Sequence, residues 1–283
     1  MDADSILSGI LDVAPPRAGG CIVTVYGDVA VPRGGSLWMG NLIEICAELG
    51  LSESLVRTAM SRLVAAGQLE GKRIGRRSYY QLTPSAQIEF SRASQLIFSQ
   101  VVPPEGWQWV FAESAGPDFS AHGFAEVAPG LWLGPDHGRE LPGEIGVMRA
   151  TPTNTSPMIA EFVKRHWDID RQHRAYQKFI ARFAPLAQTD AGSLNGARSL
   201  VARLALIHDY RLCLLADPRL PMSGLPEDWN GPQAQAIFAK LYRALSPKAD
   251  AHIAKRFETE TGPMPELTPK AKARLAALTS DLE

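Results

Sequence analysis

Residues 36–83 run as two stretches of helical period and then switch to strand period, and this narrows the folds open to the chain more than any other feature. Ser36 is placed to cap a helix over 37–49, and Gly50 sits where a left-handed residue would end it. Leu42, Ile45, Cys46 and Leu49 recur at helical spacing and make one apolar face. Ser52 is placed to cap a second helix, with Leu55, Val56, Ala59, Met60 and Leu63 expected to point inward and Gly67 to stop it. Two strands follow, 68–74 and 78–82, joined by Gly75-Arg76-Arg77 into a β-hairpin with a basic tip. Helix, glycine turn, helix and basic hairpin are the plan of a winged helix-turn-helix. A recognition helix fits the major groove of B-DNA and reads base edges through exposed polar side chains. A wing sets cations on the phosphates, which fixes register and supplies salt-dependent affinity.

The charge distribution agrees. The whole chain carries a net charge of −1, which marks no general polyanion binder. Residues 52–84 hold six basic residues against Glu53 and Glu70, a local net charge of +4. That is the electrostatic footprint of a nucleic-acid module on a mildly acidic body. The expected DNA-binding residues are Ser54, Arg57, Thr58, Ser61 and Arg62 on the recognition helix, and Lys72, Arg73, Arg76 and Arg77 on the wing. The plainer alternative is a small helical domain with a solvated basic face. It leaves the coincidence of cap, apolar face, glycine stop and Arg-tipped hairpin unexplained.

The rest of the chain reads as α+β. Residues 1–20, with Pro15-Pro16 and Gly19-Gly20, are expected to be a flexible tail. The run 21–31 is strand-like in composition and helix-like in length, and 32–35 breaks it. Residues 21–84 form the DNA-binding domain, and 85–104 a connecting helix and linker ending at Pro103-Pro104. Within the Gly- and Pro-rich stretch that follows, 107–112 and 131–133 read as strands, with 147–150 a weaker third. The last third is helical, with amphipathic runs over 157–183, 194–215, 233–245 and 249–258.

Several function classes fall away. Cys21, Cys46 and Cys213 are far apart and odd in number, against a disulfide framework and in keeping with a reducing cytoplasm. No apolar run approaches the roughly 20 residues that span a bilayer, and the first residues lack the basic and apolar regions of a signal peptide. A cytoplasmic protein with no membrane partner is expected. The chain has no GxSxG, HExxH or GxxxxGK[ST] motif, so no enzyme is expected. His166 and His173 are spaced to share a helix face, without the further ligands of a zinc site.

Particular residues also resemble a known family. Tyr26-Gly27-Asp28, Pro32-Arg33-Gly34-Gly35, Trp38, Leu51-Ser52-Glu53, Leu55 to Ala59, Ser61 to Val64 and Gly75 to Tyr80 are similar to the start of PaaX-family repressors. So are Pro129 to Leu133, Trp167 to Asp170, Ile207 to Arg211, Asp217 to Pro221 and Asp228-Trp229 further on. The resemblance implies a winged helix domain, a central ferredoxin-like (Cas2-like) domain over 105–185 and a C-terminal helical domain over 186–283. It makes 21–31 a helix. It implies a homodimer on palindromic double-stranded operator DNA, repressing an aromatic (phenylacetate-type) catabolic operon. Release would follow binding of an aryl-CoA such as phenylacetyl-CoA, with no cofactor and no metal. One departure stands out: only about 114–126, with Gly116, Pro117 and Gly123, is available for the first central helix, which must be very short or absent.

Within that frame His208, Tyr210 and Arg211 are effector-binding candidates, because His208 and Arg211 share a helix face and suit a CoA phosphate. The other reading is a buried polar cluster that locks the helical domain to its neighbour. Lys164, Arg165, Arg171, Arg174, Lys178 and Arg182 are a solvated face or a second phosphate site. Trp107, Trp109 and Trp132 read as core or interface anchors, with an aromatic acyl pocket the alternative. A fragment starting near Pro104 would then keep effector binding without DNA binding. The rival function is a metal-dependent nucleic-acid-processing protein with a Cas2-like domain, using Glu105, Glu113, Asp118, Glu126, Asp136, Glu140 or Glu144 to gather Mg²⁺.

Overall fold

A computed structural model describes residues 2–12, 16–99, 103–104, 106–112, 119–138, 140–141, 145–152 and 156–278. The chain opens with helices α1 (Ala3–Leu11) and α2 (Ala18–Val25). The path of α2 runs on through a π-helical stretch at Tyr26–Ala30 and a 3-10 turn at Val31–Arg33. Ile22, Val25, Tyr26, Val29 and Ala30 are all buried. Their spacing of i, i+3, i+4, i+7 and i+8 is why this β-branched run is helical. The expected tail is corrected: Asp2 caps α1 by accepting from Ser5 N–H at 2.8 Å, and Ala3, Leu7 and Ile10 are buried.

Strand β1 (Leu37–Trp38) precedes α3 (Met39–Glu48) and α4 (Glu53–Ala65), followed by β2 (Leu69–Ile74), β3 (Arg77–Leu82) and α5 (Pro84–Phe98). Leu37 and Trp38 pair with Tyr80 and Tyr79, giving an antiparallel sheet of order β1-β3-β2. Ser36 therefore does not cap the first of these helices, which begins at Met39. Gly50 has φ +82°, as a helix-ending residue requires, and Ser52 caps α4. Leu55 is corrected too. It is 55% exposed, because the inward stripe is Val56, Ala59, Met60 and Leu63.

Next come β4 (Trp107–Phe111), β5 (Ala125–Ala128), β6 (Leu131–Pro135) and β7 (Gly146–Ala150). The helices α6 (Pro157–His166), α7 (Ile169–Ala187), α8 (Gly196–Ala216) and α9 (Gly231–Arg256) follow, then β8 (Glu258–Thr259), β9 (Gly262–Pro263) and α10 (Pro269–Ala277). The expected run 157–183 is two helices. Trp167 leaves the helical conformation, is buried in an apolar cluster and donates its indole N–H to Gly123 O at 2.9 Å. The runs 233–245 and 249–258 are instead one helix, α9, which continues through Pro247.

The chain does not divide into consecutive blocks. One compact unit comprises Met1–Gln100, Phe179–Leu212 and Gln233–Glu283; the other comprises Val101–Lys178 and Cys213–Pro232. In the second unit an antiparallel sheet has the order β5-β6-β4-β7. Numbered along the chain this is 2-3-1-4, the order of a ferredoxin-like sheet. Among the described residues its first crossover holds only a 3-10 turn at Phe119–His122, and its second holds no helix. Trp107, Leu133, Val163, Trp167, Ile169 and Leu220 pack together with Trp109, Ile159 and Phe162. Val110 clusters separately with Phe119, Phe124 and Trp132, as strand alternation requires.

A buried ion cluster knits the first unit together. Arg203 of α8 forms an ion pair with Asp28 at 2.9 Å and donates to Asp250 of α9 at 2.7 Å, and Arg33 reaches the same Asp250 oxygen at 2.7 Å. Tyr242 O–H donates to Asp28 at 3.2 Å, and Arg274 of α10 donates to Gly27 O at 2.9 Å. Asp28 and Arg33 thus bind the N-terminal helices to the C-terminal ones. A fragment starting near Pro104 would leave Arg203 buried without Asp28, so the expectation that it folds alone is withdrawn.

Candidate nucleic-acid interface

The outer face of α4 is assembled as its cap and stripe dictate. Ser54, Arg57, Thr58, Ser61 and Arg62 are all exposed. Ser52 fixes the first turn, accepting from Leu55 N–H, and the Thr58 hydroxyl donates to Ser54 O at 2.8 Å. Arg57 is not idle: its guanidinium lies 2.7 Å from Glu53, one turn back. Both partners are more than half exposed, so this pair is worth only a few tenths of a kcal/mol, about 0.3–0.5. It does not prevent the arginine from meeting a base.

The hairpin is in full register from Leu69↔Leu82 to Ile74↔Arg77, leaving Gly75 and Arg76 as a two-residue turn. Gly75 has φ +60°, and Arg76 is not among the positive-φ residues. That is the type II′ pattern, which matches strand twist and places glycine first. Arg76 stands exposed at the tip, and the Arg73 Nε donates to Gly75 O at 3.2 Å. The other two expected wing cations are engaged within the chain. Lys72 Nζ lies 3.0 Å from Glu260, and Arg77 is paired with Glu258 and stacked 4.5 Å over the Trp38 ring. Sequence reasoning missed Glu258 and Glu260. No local signal could have found them, because the partners lie more than 180 residues apart.

The effector candidates face the N-terminal helices. Arg211 Nε donates to the Thr24 hydroxyl at 3.0 Å and its Nη2 to Gly20 O at 3.1 Å, and His208 Nδ1 lies 3.1 Å from the same hydroxyl. Tyr210 is buried and stacked on Phe238 at 4.2 Å. The neighbouring cavity, lined by Leu11, Thr24, Arg182 and His208 among others, holds about 90 Å³, far too little for a coenzyme. His208 and Arg211 form a joint between α2 and α8, while Tyr210 packs α8 against α9. Burial first, and then the Arg211 and Arg182 guanidiniums, hold the His208 imidazole down at about 4 from its ordinary 6.5. The unfolded chain therefore takes up a proton below about 6.5 that the folded chain refuses until about 4. Stability should fall as pH drops through that window. His208→Asn, which keeps a polar partner for Thr24, should flatten that part of the curve in urea titrations at several pH values. An unaltered pH slope would show that another group governs it.

The expected basic run is only partly free. Lys164 pairs with Asp170 at 3.3 Å, and Arg182 is held by Asp209 and Ile10 O, both at 2.6 Å, while Arg171, Arg174 and Lys178 are exposed on α7. Of the carboxylates weighed for metal chemistry, Glu105, Glu113, Asp118 and Glu144 lie outside the described residues. Asp136 accepts from Gln108 and pairs with Arg149, and Glu126 accepts from Gly130 N–H. Among the described residues no three His, Cys, Asp or Glu side chains gather as a metal site would need.

Comparison with known proteins bears on this geometry. The family described as "PaaX-like protein" matches residues 17–86, and "PaaX-like protein C-terminal domain" matches 167–255. The transcriptional repressor PaaX of Escherichia coli (strain K12) is 31% identical over 287 residues, covering 93% of this chain and 91% of the relative. The chain belongs to the PaaX family. PaaX-family proteins are regulators rather than enzymes, and the nuclease alternative finds no support. A solved structure, the uncharacterized protein Rv0674 from Mycobacterium tuberculosis, is 23% identical, with a TM-score of 0.44 over 75% of this chain and 89% of that one. The PaaX match over 17–86 takes in Asp28 and Arg33, and the C-terminal match takes in Arg203 and Asp250. Family membership thus covers the buried cluster as well as the exposed α4 and hairpin.

Proposed function

We propose that this protein is a cytoplasmic repressor that binds operator DNA as a homodimer. In this reading α4 is the recognition helix and β2–β3 the wing of a winged helix-turn-helix. The observation that carries it is the exposed set Ser54, Arg57, Thr58, Ser61 and Arg62 beside a hairpin tipped by Arg73 and Arg76. Membership of the PaaX family, whose E. coli relative is a transcriptional repressor, supports it. The regulated genes are those of an aromatic, phenylacetate-type pathway, and the effector is an aryl-CoA. It acts by population shift: the effector must prefer a dimer arrangement in which the two recognition helices no longer match successive major grooves.

The effector's aryl end belongs in the second unit. A cavity of about 380 Å³ opens there, lined by Trp107, Trp109, Leu133, Met158, Ile159 and Phe162 among others. None of the described residues that line it is charged, so it suits a flat apolar group, with a charged coenzyme left outside. An apolar cavity of about 150 Å³ already admits benzene. The central domain is read as a reduced ferredoxin-like (Cas2-like) domain, and His208 and Arg211 keep the α2–α8 joint.

The test is a footprint on the promoter of the protein's own gene, repeated with phenylacetyl-CoA, free phenylacetate and CoA alone. Protection without effector, lost with the thioester only, is the expected result. No protected site would overturn the repressor reading, and protection unmoved by any thioester would overturn the effector. Ala150→Trp should fill the cavity. DNA binding should stay at the wild-type level, while the phenylacetyl-CoA needed for release rises at least about tenfold, or 1.4 kcal/mol. Release at the wild-type concentration would move the aryl site elsewhere.

A further inference from the structure

We propose that the short β8–β9 hairpin is an acidic counter-clamp on the wing. The Glu258 and Glu260 carboxylates compete with DNA phosphates for Arg77 and Lys72, and so set how tightly, and with what salt dependence, the protein holds DNA. The inference rests on the reading of β2–β3 as a DNA-contacting wing and adds a residue pair that lies outside the DNA face.

The clamp is built, not incidental. Asn41 of α3, only 2% exposed, grips the chain on both sides of Phe257: its Oδ1 accepts from Glu258 N–H at 2.9 Å, and its Nδ2 donates to Arg256 O at 3.0 Å. Phe257 and Met264 are buried, and Met264 N–H returns to Phe257 O at 2.9 Å. The Thr259 hydroxyl closes the turn on Gly262 O at 3.0 Å. Arg256 is tied in turn to Glu44 of α3 at 2.8 Å. A hairpin fixed in this way to the helix-turn-helix scaffold presents one carboxylate to each strand of the wing, Glu260 to Lys72 on β2 and Glu258 to Arg77 on β3. Trp38 beneath Arg77 narrows the guanidinium's positions further.

The four side chains are between 30% and 68% exposed, so both pairs lie in high dielectric and exchange partners without unfolding anything. That is what a competitive clamp needs. A phosphate that takes Lys72 or Arg77 must displace a carboxylate, which then stays beside the DNA backbone as a like charge. Among the described residues, Lys72 and Arg77 are the wing cations that carry an acidic partner, and Arg73 and Arg76 have none. Each further phosphate neutralised steepens log K against log salt by about 0.9.

Glu258→Gln with Glu260→Gln keeps volume and hydrogen bonding while removing both charges. Measured in full-length protein over a salt series, its affinity for operator and for random DNA should both rise, on the order of tenfold near 0.1 M salt. The slope should steepen by up to about two units. Adding Lys72→Gln and Arg77→Gln should erase the gain. Unchanged affinity and slope would overturn the proposal, as would a loss of affinity, which would make the pairs supports for the wing. The control is Arg73→Ala with Arg76→Ala. If that variant weakens binding while the glutamine pair changes nothing, the clamp alone fails; if it too binds normally, the wing reading itself has failed. Matched thermal unfolding of all variants shows that the effects belong to the DNA contact.

Discussion

Asp250→Asn should remove roughly 3–5 kcal/mol of stability, even though it changes one atom and lies off the DNA face. Asp250 accepts from Arg33 and Arg203 through one oxygen, each at 2.7 Å, and both guanidiniums are 1% exposed. The buried cluster holds Arg33, Arg203 and Arg274 against Asp28 and Asp250, an excess of one positive charge. Burial opposes the charge of Arg203, and the carboxylates of Asp28 and Asp250 hold it charged above the usual range. Neutralising Asp250 leaves three cations facing one anion in a desolvated site. Arg203→Met makes a different cut: the two remaining arginines balance the two aspartates, and the thioether keeps most of the stem's packing. It should cost clearly less than Asp250→Asn. Urea unfolding of both variants gives the order directly, and a reversed order would mean that hydrogen bonding, not net charge, governs the cluster. Because Asp28 and Arg33 lead from α2 into β1, DNA binding by Asp250→Asn should be lost at temperatures where the wild type still binds.

The same cluster shows which parts of this fold were legible. Val56 and Met60 repeat at helical spacing, which sets the exposed face of α4, and Gly75 marks the turn of the hairpin. The pairing of Ile22, Val25, Tyr26, Val29 and Ala30 was equally present, but β-branched composition obscured it. What stayed hidden depends on contacts distant in sequence. His208 and Arg211 do share a face, yet nothing local says that this face meets Thr24 and Gly20 and not an anion. The motif around Asp28 and Arg33 signalled its family without signalling its chemistry, which needs Asp250 and Arg203. Trp167 breaks a helix that amphipathic spacing carries straight through: its ring is buried in the apolar cluster and its indole donates to Gly123 O. The interleaving of the two compact units is a further case: each stretch reads as a domain until its partner stretch is known.

Base reading and phosphate binding should separate cleanly between α4 and the wing. Arg57→Ala is expected to weaken operator binding by about 1–3 kcal/mol and to leave random DNA nearly unaffected, because a bidentate arginine–guanine contact exists only at the right base. The exposed Glu53 partner does not alter this, since its pair with Arg57 must exchange with water in the free protein. Glu53→Gln should accordingly bind operator at least as well as wild type. Arg73→Ala with Arg76→Ala is expected to act the other way. Affinity should fall on operator and random DNA together, and the salt slope should flatten by about two units, at roughly 0.9 for each lost phosphate contact. Between 50 and 200 mM salt, two units of slope amount to a factor of about 16, so the variant's deficit should shrink by that factor as salt rises. Paired salt titrations on both DNAs resolve all of this in one experiment. Equal losses for Arg57→Ala on both DNAs would turn Arg57 into a phosphate contact and shift base reading to Ser54, Thr58, Ser61 and Arg62. An unaltered slope in the wing variant would mean that the hairpin tip stands clear of the backbone, and α4 would then have to supply the salt dependence alone.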